Sequence, residues 1–526
     1  MRHSIIYILI MAIVAAGCQS SDAPYNPQPI LSVADATDIT RNDAIIHGTI
    51  TDNGGKGLTD LRFEWWQTDG TPSSSPLLTA TDGEVAYALH DLIPGRTYCF
   101  RLKGSNGRVT IESDTKQFTT QPNVVPVIST LTTLAKGPAS LIASFIIEDN
   151  GGEDIIEAGC HIRDINSGNT TKHTEDIKTI SDNTVYLTIR GLKENADLEI
   201  TPFATNTIGE TQGTPIIITT SSSIYVSQPG MLEHLIGDNL SAYSSLSFSG
   251  SLNGDDIRTL RAMSLTAMDL TDANIVEGGG NYIPSRYTNN DVVGFGMFQD
   301  LNDLKSIQLP NSVTTIEEQA FRGCTSLPVI TIPANVTSLS PSDGCTALKE
   351  INVSSANRNF KSIDGVLFNA DATGILWFPL GKEGEYTLPS TVTAIGDYAF
   401  RNCHITRFTM ADNITQIGKA VFTGSSVQSV TLSDNLATIP QATFQSCTGL
   451  TEVHLGSATD LIGSYAFDGC PLTDIYLSAT VPPVCNSNTF TSSYDLLKLC
   501  RLHVPEGSIA RYRNHPTWGK FEYISK

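Results

Sequence analysis

The sequence predicts a multidomain, mainly β protein in which two small β-sandwiches precede a solenoid with a parallel β-sheet and short helices. Two kinds of internal repetition support this prediction: a pair of modules spaced by about 100 residues, and then a motif of about 22 residues that recurs to near the C-terminus. The chain contains 526 residues, including 42 Gly and 25 Pro. That length is too great for one hydrophobic core, and that composition suits many short strands and turns.

The short motif is clearest from Leu304 to Cys324, where it reads Leu-x-x-Ile-x-Leu-Pro-x-x-Val-x-x-Ile-x-x-x-Ala-Phe-x-x-Cys. A fixed period in the twenties is typical of a leucine-rich solenoid, whose single units cannot bury their apolar faces alone. We expect about nine coils here. Between residues 321 and 400 the period is less regular: Ser342 takes the Phe place before Cys345, and Phe368 lies in a longer unit. Elsewhere the Phe recurs in steps of 22 or 23 residues, and its positions are Phe298, Phe321, Phe400, Phe422, Phe444, Phe467 and Phe490.

The first residues have the pattern of an export signal. Arg2 precedes an apolar run from Ile5 to Ala16 that is too short to span a bilayer, and small residues then lead to Cys18. This arrangement resembles a bacterial lipoprotein signal, in which Cys18 is the lipid-modified residue; a plain secretory signal is the alternative. Gln19 is not the Asp that commonly retains lipoproteins at the inner membrane. The resemblance therefore implies an outer-membrane protein that is anchored by lipid and exposed on the cell surface.

The two longer modules share landmarks. The sequence TDNGG at 51–55 returns as EDNGG at 148–152, and the closing FTT at 118–120 returns as ITT at 218–220. The run Leu92-x-Pro94-Gly95-x-x-Tyr98 resembles the tyrosine-corner segment of fibronectin type III domains. The second module has Leu198 where the first has Tyr98, but its other landmarks keep their spacing. We therefore expect an immunoglobulin-like or fibronectin-like sandwich for both modules.

The short repeat resembles the BspA-like leucine-rich repeat family of bacterial surface proteins. The run Val504-Pro505-Glu506-Gly507-Ser508-x-x-x-Tyr512 that ends the chain adds to this resemblance. The resemblance implies a surface protein that binds or adheres to proteins, cells or glycans. The chain departs from the family pattern in its longer unit, where residues 365–368 and 374–379 are expected to form an extra hairpin.

These features predict the following organisation: a lipoprotein signal peptide at 1–17, a flexible stalk at 18–29, fibronectin type III-like sandwiches at 30–121 and 122–221, an N-terminal cap with an atypical first repeat at 222–295, BspA-like repeats at 296–503 and a C-terminal cap at 504–526. Short helices are expected near 231–236 and 257–263. Asp255 is a candidate cap for the second helix.

Cysteine usage follows the repeat rather than a disulfide pattern. Five of the ten cysteines share one repeat position, which favours a ladder of small buried residues: Cys324, Cys345, Cys403, Cys447 and Cys470. Cys485 and Cys500 lie outside that position, and their pairing is left open.

Several classes of function are disfavoured. The formal net charge is −21 and there is no basic stripe, so nucleic acid is not expected as a partner. The sequence contains no nucleophile elbow, zinc-protease motif, phosphate-binding loop or dinucleotide fingerprint. The histidines lack the spacing of metal ligands, and the acidic turns lack the ligand pattern of an EF-hand. We expect no enzyme activity, no catalytic residues, no cofactor and no metal.

The strand residues of the repeats alternate, so Ile307 and Leu309 should point into the coil while their neighbours point outward. The expected ligand-binding face consists of these outward residues: Ser306, Gln308, Arg407, Thr409, Gln428, Thr431, Glu452 and His454. A protein-binding adhesin is the first functional hypothesis, because a solenoid presents a large polar face. A glycan-binding lipoprotein of a nutrient-uptake system is the alternative, with Trp66 and Trp377 as candidate exposed aromatics. A passive surface spacer is the third possibility.

Overall fold

A computed structural model gives the structure of the chain, which is described for residues 28–526 except residues 56, 238–239, 385, 487 and 491–493. The fold is mainly β, with 39% strand and 7% helix, as the sequence predicts. The predicted signal peptide, most of the stalk and Cys18 lie outside the described residues. Within the described part, no helix is long and apolar enough to cross a membrane.

The first sandwich consists of two antiparallel sheets, one with strand order β1-β2-β5 and the other with β4-β3-β6-β7 and β8 beside β6. Phe63, Phe100 and Leu102 pack between the sheets and are fully buried. The Tyr98 hydroxyl accepts a hydrogen bond from the Ile93 backbone N–H at 2.8 Å, so the tyrosine corner is present. The strands are β1 (Ile30–Val33), β2 (Ala44–Asp52), β3 (Arg62–Gln67), β4 (Ser73–Ser74), β5 (Gly83–Leu89), β6 (Thr97–Ser105), β7 (Thr110–Glu112) and β8 (Lys116–Thr119).

The second sandwich repeats this arrangement without the tyrosine. Leu198 fills the corner position with an apolar side chain that is 2% exposed. The strands are β9 (Val127–Ile128), β10 (Thr132–Lys136), β11 (Ser140–Asp149), β12 (Glu157–Asp164), β13 (Thr170–Glu175), β14 (Thr184–Arg190), β15 (Asp197–Thr205), β16 (Glu210–Gln212) and β17 (Ile216–Thr219), with a 3-10 turn at Ile177–Thr179.

The repeated Asn-Gly-Gly turn of the second sandwich fixes its contact with the first. Asp149 accepts two hydrogen bonds from the Arg41 guanidinium, at 2.8 and 2.9 Å. Gly151 has a φ of 77° and lies directly against the Val124 carbonyl, so a side chain at this position would collide with backbone. The Arg41 hydrogen bond holds the pKa of the Asp149 carboxyl below its usual range. The two sandwiches are therefore joined by a specific contact and not only by the linker.

The solenoid begins earlier than the repeat motif suggests. The strand β18 pairs with β10 of the second sandwich on one side and runs parallel to β19 on the other, so one sheet continues from the sandwich into the solenoid. The segment expected to be mainly a cap thus supplies coils of its own, and the solenoid has about 13 turns instead of nine. The elements are β18 (Ser223–Val226), α1 (Leu232–Ile236), β19 (Ser245–Leu252), α2 (Gly254–Ala262), β20 (Ala267–Ile275), β21 (Gly278–Ile283) and β22 (Arg286–Thr288).

The cap of α2 differs from the expected one. Asn253 is the N-cap and its side chain accepts hydrogen bonds from two backbone N–H groups, while the Asp256 carboxylate bonds back to the Asn253 N–H. Asp256 also accepts from Gly230 and Leu232, so it ties α1 to α2. The prediction that Asp255 caps this helix was wrong, because the helix begins at Gly254, three residues earlier than expected.

Each later coil contributes two short parallel strands to two ladders, and turns join them on the side of the repeated Phe. The elements are β23 (Val292–Val293), β24 (Ser306–Gln308), β25 (Thr315–Ile316), β26 (Val329–Ile332), β27 (Ser338–Leu339), β28 (Glu350–Val353), β29 (Phe360–Ile363), β30 (Val366–Asn369), β31 (Gly374–Trp377), β32 (Ala394–Ile395), β33 (Arg407–Thr409), β34 (Gln416–Ile417), β35 (Ser429–Thr431), β36 (Thr438–Ile439), β37 (Glu452–Leu455), β38 (Leu461–Ile462), β39 (Asp474–Leu477), β40 (Val484–Cys485), α3 (Tyr494–Leu499), β41 (Arg501–His503), α4 (Ile509–Arg513) and β42 (Tyr523–Ser525), with 3-10 turns at Glu506–Ser508 and Trp518–Lys520.

The repeated Phe side chains stack along the solenoid. Their ring centroids lie 5.0 to 5.7 Å apart through Phe378, Phe400, Phe422, Phe444, Phe467 and Phe490. Each aromatic pair of this kind contributes about 0.5–1.5 kcal/mol beyond the burial of its area. Trp518 packs edge-on against Phe490 and is fully buried, so it closes the apolar end of the stack as expected for a cap. The parallel ladder itself continues past this point through β41 and β42.

The longer unit contains the expected extra strands. β30 pairs antiparallel with β29 and with β31, and β31 then joins the parallel ladder through β32. Ser342 replaces Phe one coil earlier, and its hydroxyl accepts a hydrogen bond from the Phe321 N–H at 3.1 Å. The Phe stack is therefore interrupted between Phe321 and Phe378.

The repeated cysteines are buried and free, and the thiols of four of the five bond to neighbouring coils. The Cys447 thiol donates to the Phe422 carbonyl at 2.9 Å, and Cys324, Cys345 and Cys470 make the same bond at 3.0 to 3.1 Å. Ser425 occupies the same repeat position and lies 3.3 Å from the Cys447 sulfur. At four of the five cysteine positions the side chain is therefore a hydrogen-bond donor as well as a small buried group. Cys485 and Cys500 are also free.

These bonds predict the response of the ladder to substitution. Cys447→Ala should lower the free energy of unfolding by about 0.5–1.5 kcal/mol, because the Phe422 carbonyl loses one of its two donors and keeps the Ser425 N–H at 2.9 Å. Cys447→Ser keeps a donor and should cost less, which chemical denaturation of the three proteins measures. A serine variant less stable than the alanine variant would contradict this account.

Burial raises the pKa of the Cys324 and Cys345 thiols to about 12, so both should resist alkylation until the protein unfolds.

Candidate functional site

The longest regular surface of the solenoid is the outward side of six adjacent parallel strands, β33, β35, β37, β39, β41 and β42, which we call the sheet face. Its central residues, such as Phe408 and Val453, point inward and are buried, so the residues on either side point outward. Register pairs these outward residues into two rows. The first row is Arg407, Ser429, Glu452, Asp474, Arg501 and Tyr523, and the second is Thr409, Thr431, His454, Tyr476, His503 and Ser525.

Five of the expected ligand-binding residues lie on the sheet face: Arg407, Thr409, Thr431, Glu452 and His454. Gln428 does not belong to either row, because it precedes β35 and Ser429 takes the ladder position. A step of 22 residues from Arg407 leads to Ser429, so the prediction of Gln428 was wrong by one residue. Ser306 and Gln308 are exposed on β24, in a separate sheet before the longer unit. The structure therefore does not bring them together with the other five.

Three aromatic side chains stack in the second row. The Tyr476 ring lies 4.2 Å from both the His454 and the His503 ring, centroid to centroid, with interplanar angles of 4° and 10°. Because both faces of the Tyr476 ring are covered by imidazoles, its edge and hydroxyl are the parts left for solvent. The stack therefore presents hydrogen-bonding groups rather than a flat apolar surface.

Carboxylates of the first row hold the two histidines in place. His454 Nε2 donates to Glu452 at 2.9 Å, and His503 Nε2 donates to Asp474 at 2.8 Å. These hydrogen bonds are the main reason that the pKa values of Glu452 and Asp474 lie below their usual range. Arg501, next to Asp474 in the ladder, lowers the pKa of that carboxyl further. The sheet face thus carries both charges at fixed positions.

The expected exposed aromatics are not available as flat platforms. Trp377 is only 2% exposed and belongs to the hydrophobic core, so the prediction that it is exposed was wrong. Trp377 is the last residue of β31 in the longer unit. The repeat period is interrupted there, so the sequence did not predict whether its side chain points inward or outward. Trp66 lies on the outer side of β3 and is half-buried. The Arg101 guanidinium lies over its ring at 5.4 Å and is held there by Glu64.

Sequence reasoning missed Tyr476, Asp474, His503, Arg501 and Tyr523. Tyr476 was recoverable, because it follows His454 by one 22-residue step. The last three lie in or beyond a unit with an inserted helix, α3, which lengthens the step and hides the register. Their place in the rows follows only from strand pairing.

Metal binding and catalysis by a nucleophilic cysteine have little support in the described part of the chain. No group of three His, Cys, Asp or Glu side chains there is arranged to hold a metal ion. Burial raises the pKa of Cys160 and of Cys403 to about 12, which disfavours the thiolate that a nucleophilic cysteine needs.

The His–carboxylate pairs predict a specific pH dependence. His454→Ala should raise the pKa of Glu452 toward its ordinary value of 4.5, and His503→Ala should raise that of Asp474 toward 3.8. Because both folded pKa values are lowered, the stabilisation is present above these ordinary values and is lost as pH falls through the folded ones. NMR titration of the two carboxyl groups measures the shifts. Each substitution should shift the pKa of its own carboxyl most, with a smaller effect on the other because Glu452 and Asp474 are neighbours in the ladder. Equal shifts at both sites would contradict local pairing.

Comparison with known proteins agrees with the repeat pattern. The family model described as the BspA type leucine rich repeat region matches residues 285–373 and 383–496, in six copies. Proteins of this family are typically surface proteins with binding or adhesive roles, and they are generally not enzymes. No curated protein sequence matches the chain significantly.

Several solved structures are similar to parts of the chain. The pneumococcal vaccine antigen PcpA is similar at 18% identity and a TM-score of 0.35, over 56% of this chain and 76% of that one. A leucine-rich repeat protein from Eubacterium ventriosum is similar at 16% identity and a TM-score of 0.28, over 52% and 93%. A segment of two fibronectin type-III domains from chicken tenascin is similar at 15% identity and a TM-score of 0.21, over 36% and 99%. Residues 285–373 and 383–496, which are less than half of the chain, therefore have the BspA type of leucine-rich repeat.

Proposed function

We propose that this protein is a non-catalytic binding or adhesion protein that recognises its ligand on the sheet face of the solenoid. The observation that carries the proposal is the unbroken register of two outward rows across six strands, with charged and hydrogen-bonding side chains fixed by one another. At a strand spacing of about 4.8 Å, the face is about 24 Å long. A surface of this length suits a macromolecule better than a small molecule.

A protein ligand is favoured over a glycan on this face. The Tyr476 ring is covered on both sides by imidazoles, so a sugar ring has no aromatic face to stack on. Glu452, Asp474, Arg407 and Arg501 instead offer both charges at fixed spacing, which favours polar, partly hydrated contacts of modest affinity. Many copies on one cell would strengthen such contacts through avidity. Glycan binding by a nutrient-uptake lipoprotein and a passive spacer remain the alternatives.

We propose further that the mature protein is a surface lipoprotein of the outer membrane, anchored through acyl chains on Cys18. The support is the N-terminal sequence alone, in which a short apolar run leads through small residues to Cys18. The two sandwiches would then stand between the lipid anchor and the solenoid. In that arrangement the sheet face is held away from the membrane.

A charge reversal tests the sheet face. Arg407→Glu together with Glu452→Arg should weaken binding of a protein ligand at least tenfold in Kd, while the melting temperature changes little because both side chains lie at the surface. Binding is measured with the mature chain against arrays of extracellular proteins and of glycans. Arg358→Glu with Asp371→Arg is the matched control, since both positions are exposed and lie off the sheet face. Unchanged binding in the sheet-face variant, with loss in Trp66→Ala, would move the site to the first sandwich and favour the glycan alternative.

A single substitution tests the anchor. Cys18→Ala should abolish incorporation of labelled palmitate and release the protein from the membrane fraction, because no other residue is proposed to carry acyl chains. Labelling that persists in the variant would end the lipoprotein proposal.

A further inference from the structure

On the Phe side of the solenoid, hydrogen bonds join the turn of each coil to the turn of the next coil. These bonds are interrupted at one place. In regular coils, the backbone of one turn donates to the next, as in the bonds from Tyr398 N–H to Lys419 O and from Asn402 N–H to Thr423 O. Among the bonds between described residues, none joins an N–H of residues 340–344 to the turn at 396–402. The longer unit lies between these two turns in the sequence. Because its residues form the extra strands β29 to β31, it has no complete turn between residues 340–344 and 396–402.

The missing turn leaves a cleft. Two adjoining cavities of about 430 and 350 Å³ lie between the turn at 340–344 and the turn at 396–402, and we call them together the turn cleft. The first is lined chiefly by Asp300, Gln319, Arg322, Asp343, Arg401 and Asn402. The second adds Glu318, Asp397 and Tyr398. These volumes lie within the range of about 300–1,000 Å³ that is usual for small-molecule sites.

The walls of the turn cleft are rigid and polar. Asp343 forms a salt bridge with Arg401 at 2.9 Å and exchanges two hydrogen bonds with Gln319, each 2.9 Å long. Asp300 and Asn402 are held in left-handed backbone conformations, with φ of 61° and 57°. The Arg322 side chain is exposed, and its guanidinium has no hydrogen bond or ion pair with any described residue. Asp343, Gln319 and Arg401 therefore hold one another in place, whereas the Arg322 guanidinium is left to bind a ligand.

Charge and chemistry narrow the ligand class. The two cavities together are lined by four carboxylates against two guanidinium groups, so an anion is disfavoured. A metal ion is disfavoured as well, because the Asp343 carboxylate is already bonded to Arg401 and Gln319. A peptide strand would need an open sheet edge to pair with, whereas these walls are turns. Planar amides, carboxylates and guanidiniums suit a neutral ligand rich in hydroxyl groups.

We infer that the turn cleft is a binding site for a neutral saccharide of one or a few units. The ligand would take hydrogen bonds from Arg322 and Asn402 and donate them to Asp300 in the first cavity. The second cavity would hold an adjoining unit through the polar groups of Glu318 and Asp397, since the Tyr398 ring lies under the Arg401 and Lys419 cations, each at 5.4 Å. This site lies on the turns and not on the sheet face, so it is independent of the function proposed there.

The test uses the mature chain and an array of neutral gluco-, manno- and galacto-oligosaccharides, followed by calorimetry with the sugars that bind. The variant is Asp300→Gly with Asn402→Gly, which removes two polar side chains while glycine keeps the left-handed backbone. We expect the Kd for the bound sugar to rise at least tenfold. Arg322→Ala, a surface change, should raise it as well and guards against an effect of misfolding in the double variant.

The sheet-face variant Arg407→Glu with Glu452→Arg is the matched control and should bind the sugar as the unaltered protein does. Binding lost in the sheet-face variant but kept in both cleft variants would overturn the turn cleft as the site. Failure of every neutral oligosaccharide to bind would overturn it too. Neither result bears on protein binding by the sheet face, which the protein array measures separately.

Discussion

The backbone hydrogen bonds between successive coils are the constraint on which this structure depends. A single coil has only two short strands and a turn, and it cannot satisfy its own N–H and C=O groups or cover its own apolar interior. The bonds from Phe422 N–H to Thr443 O and from Phe444 N–H to Ala466 O, both 2.8 Å long, show how each turn relies on the next. Once these bonds fix the stacking distance, a Phe at the same place in each coil must lie against its neighbour.

The same constraint explains the two ends of the solenoid. A first coil without a neighbour would expose both its apolar interior and a strand edge. Here β18 pairs with β10, so the second sandwich covers that edge and serves as the N-terminal cap. At the other end, Trp518 covers the last ring of the Phe stack, and its indole N–H donates to the Pro483 carbonyl at 2.8 Å. The second sandwich is thus part of the solenoid's stability and not an independent module on a linker.

Regular and irregular parts of the solenoid divide the candidate sites between them. The sheet face exists because six coils in succession keep their register, so outward side chains form rows and His454, Tyr476 and His503 are forced into a stack. The turn cleft exists because the register of turns fails once, across the longer unit. An extended regular surface suits a large partner, whereas a rigid cleft suits a small one. One solenoid can therefore present two kinds of site without a change in fold.

The sequence alone determined the fold class, the repeat position of Phe and Cys in the regular coils, and the tyrosine corner, because these depend on periods and motifs that are local to the chain. It also predicted five of the twelve outward residues in the two rows of the sheet face. It did not assign Phe378 to the Phe stack. It did not determine that Ser223 begins a strand shared with the second sandwich, since a Ser-rich stretch reads as a linker until its pairing with β10 is seen. The sequence likewise did not predict the hydrogen bonds of the cysteine thiols, the burial of Trp377 or the ring stack around Tyr476. Each of these depends on which residue of a distant coil lies alongside, and only the tertiary structure sets that neighbour.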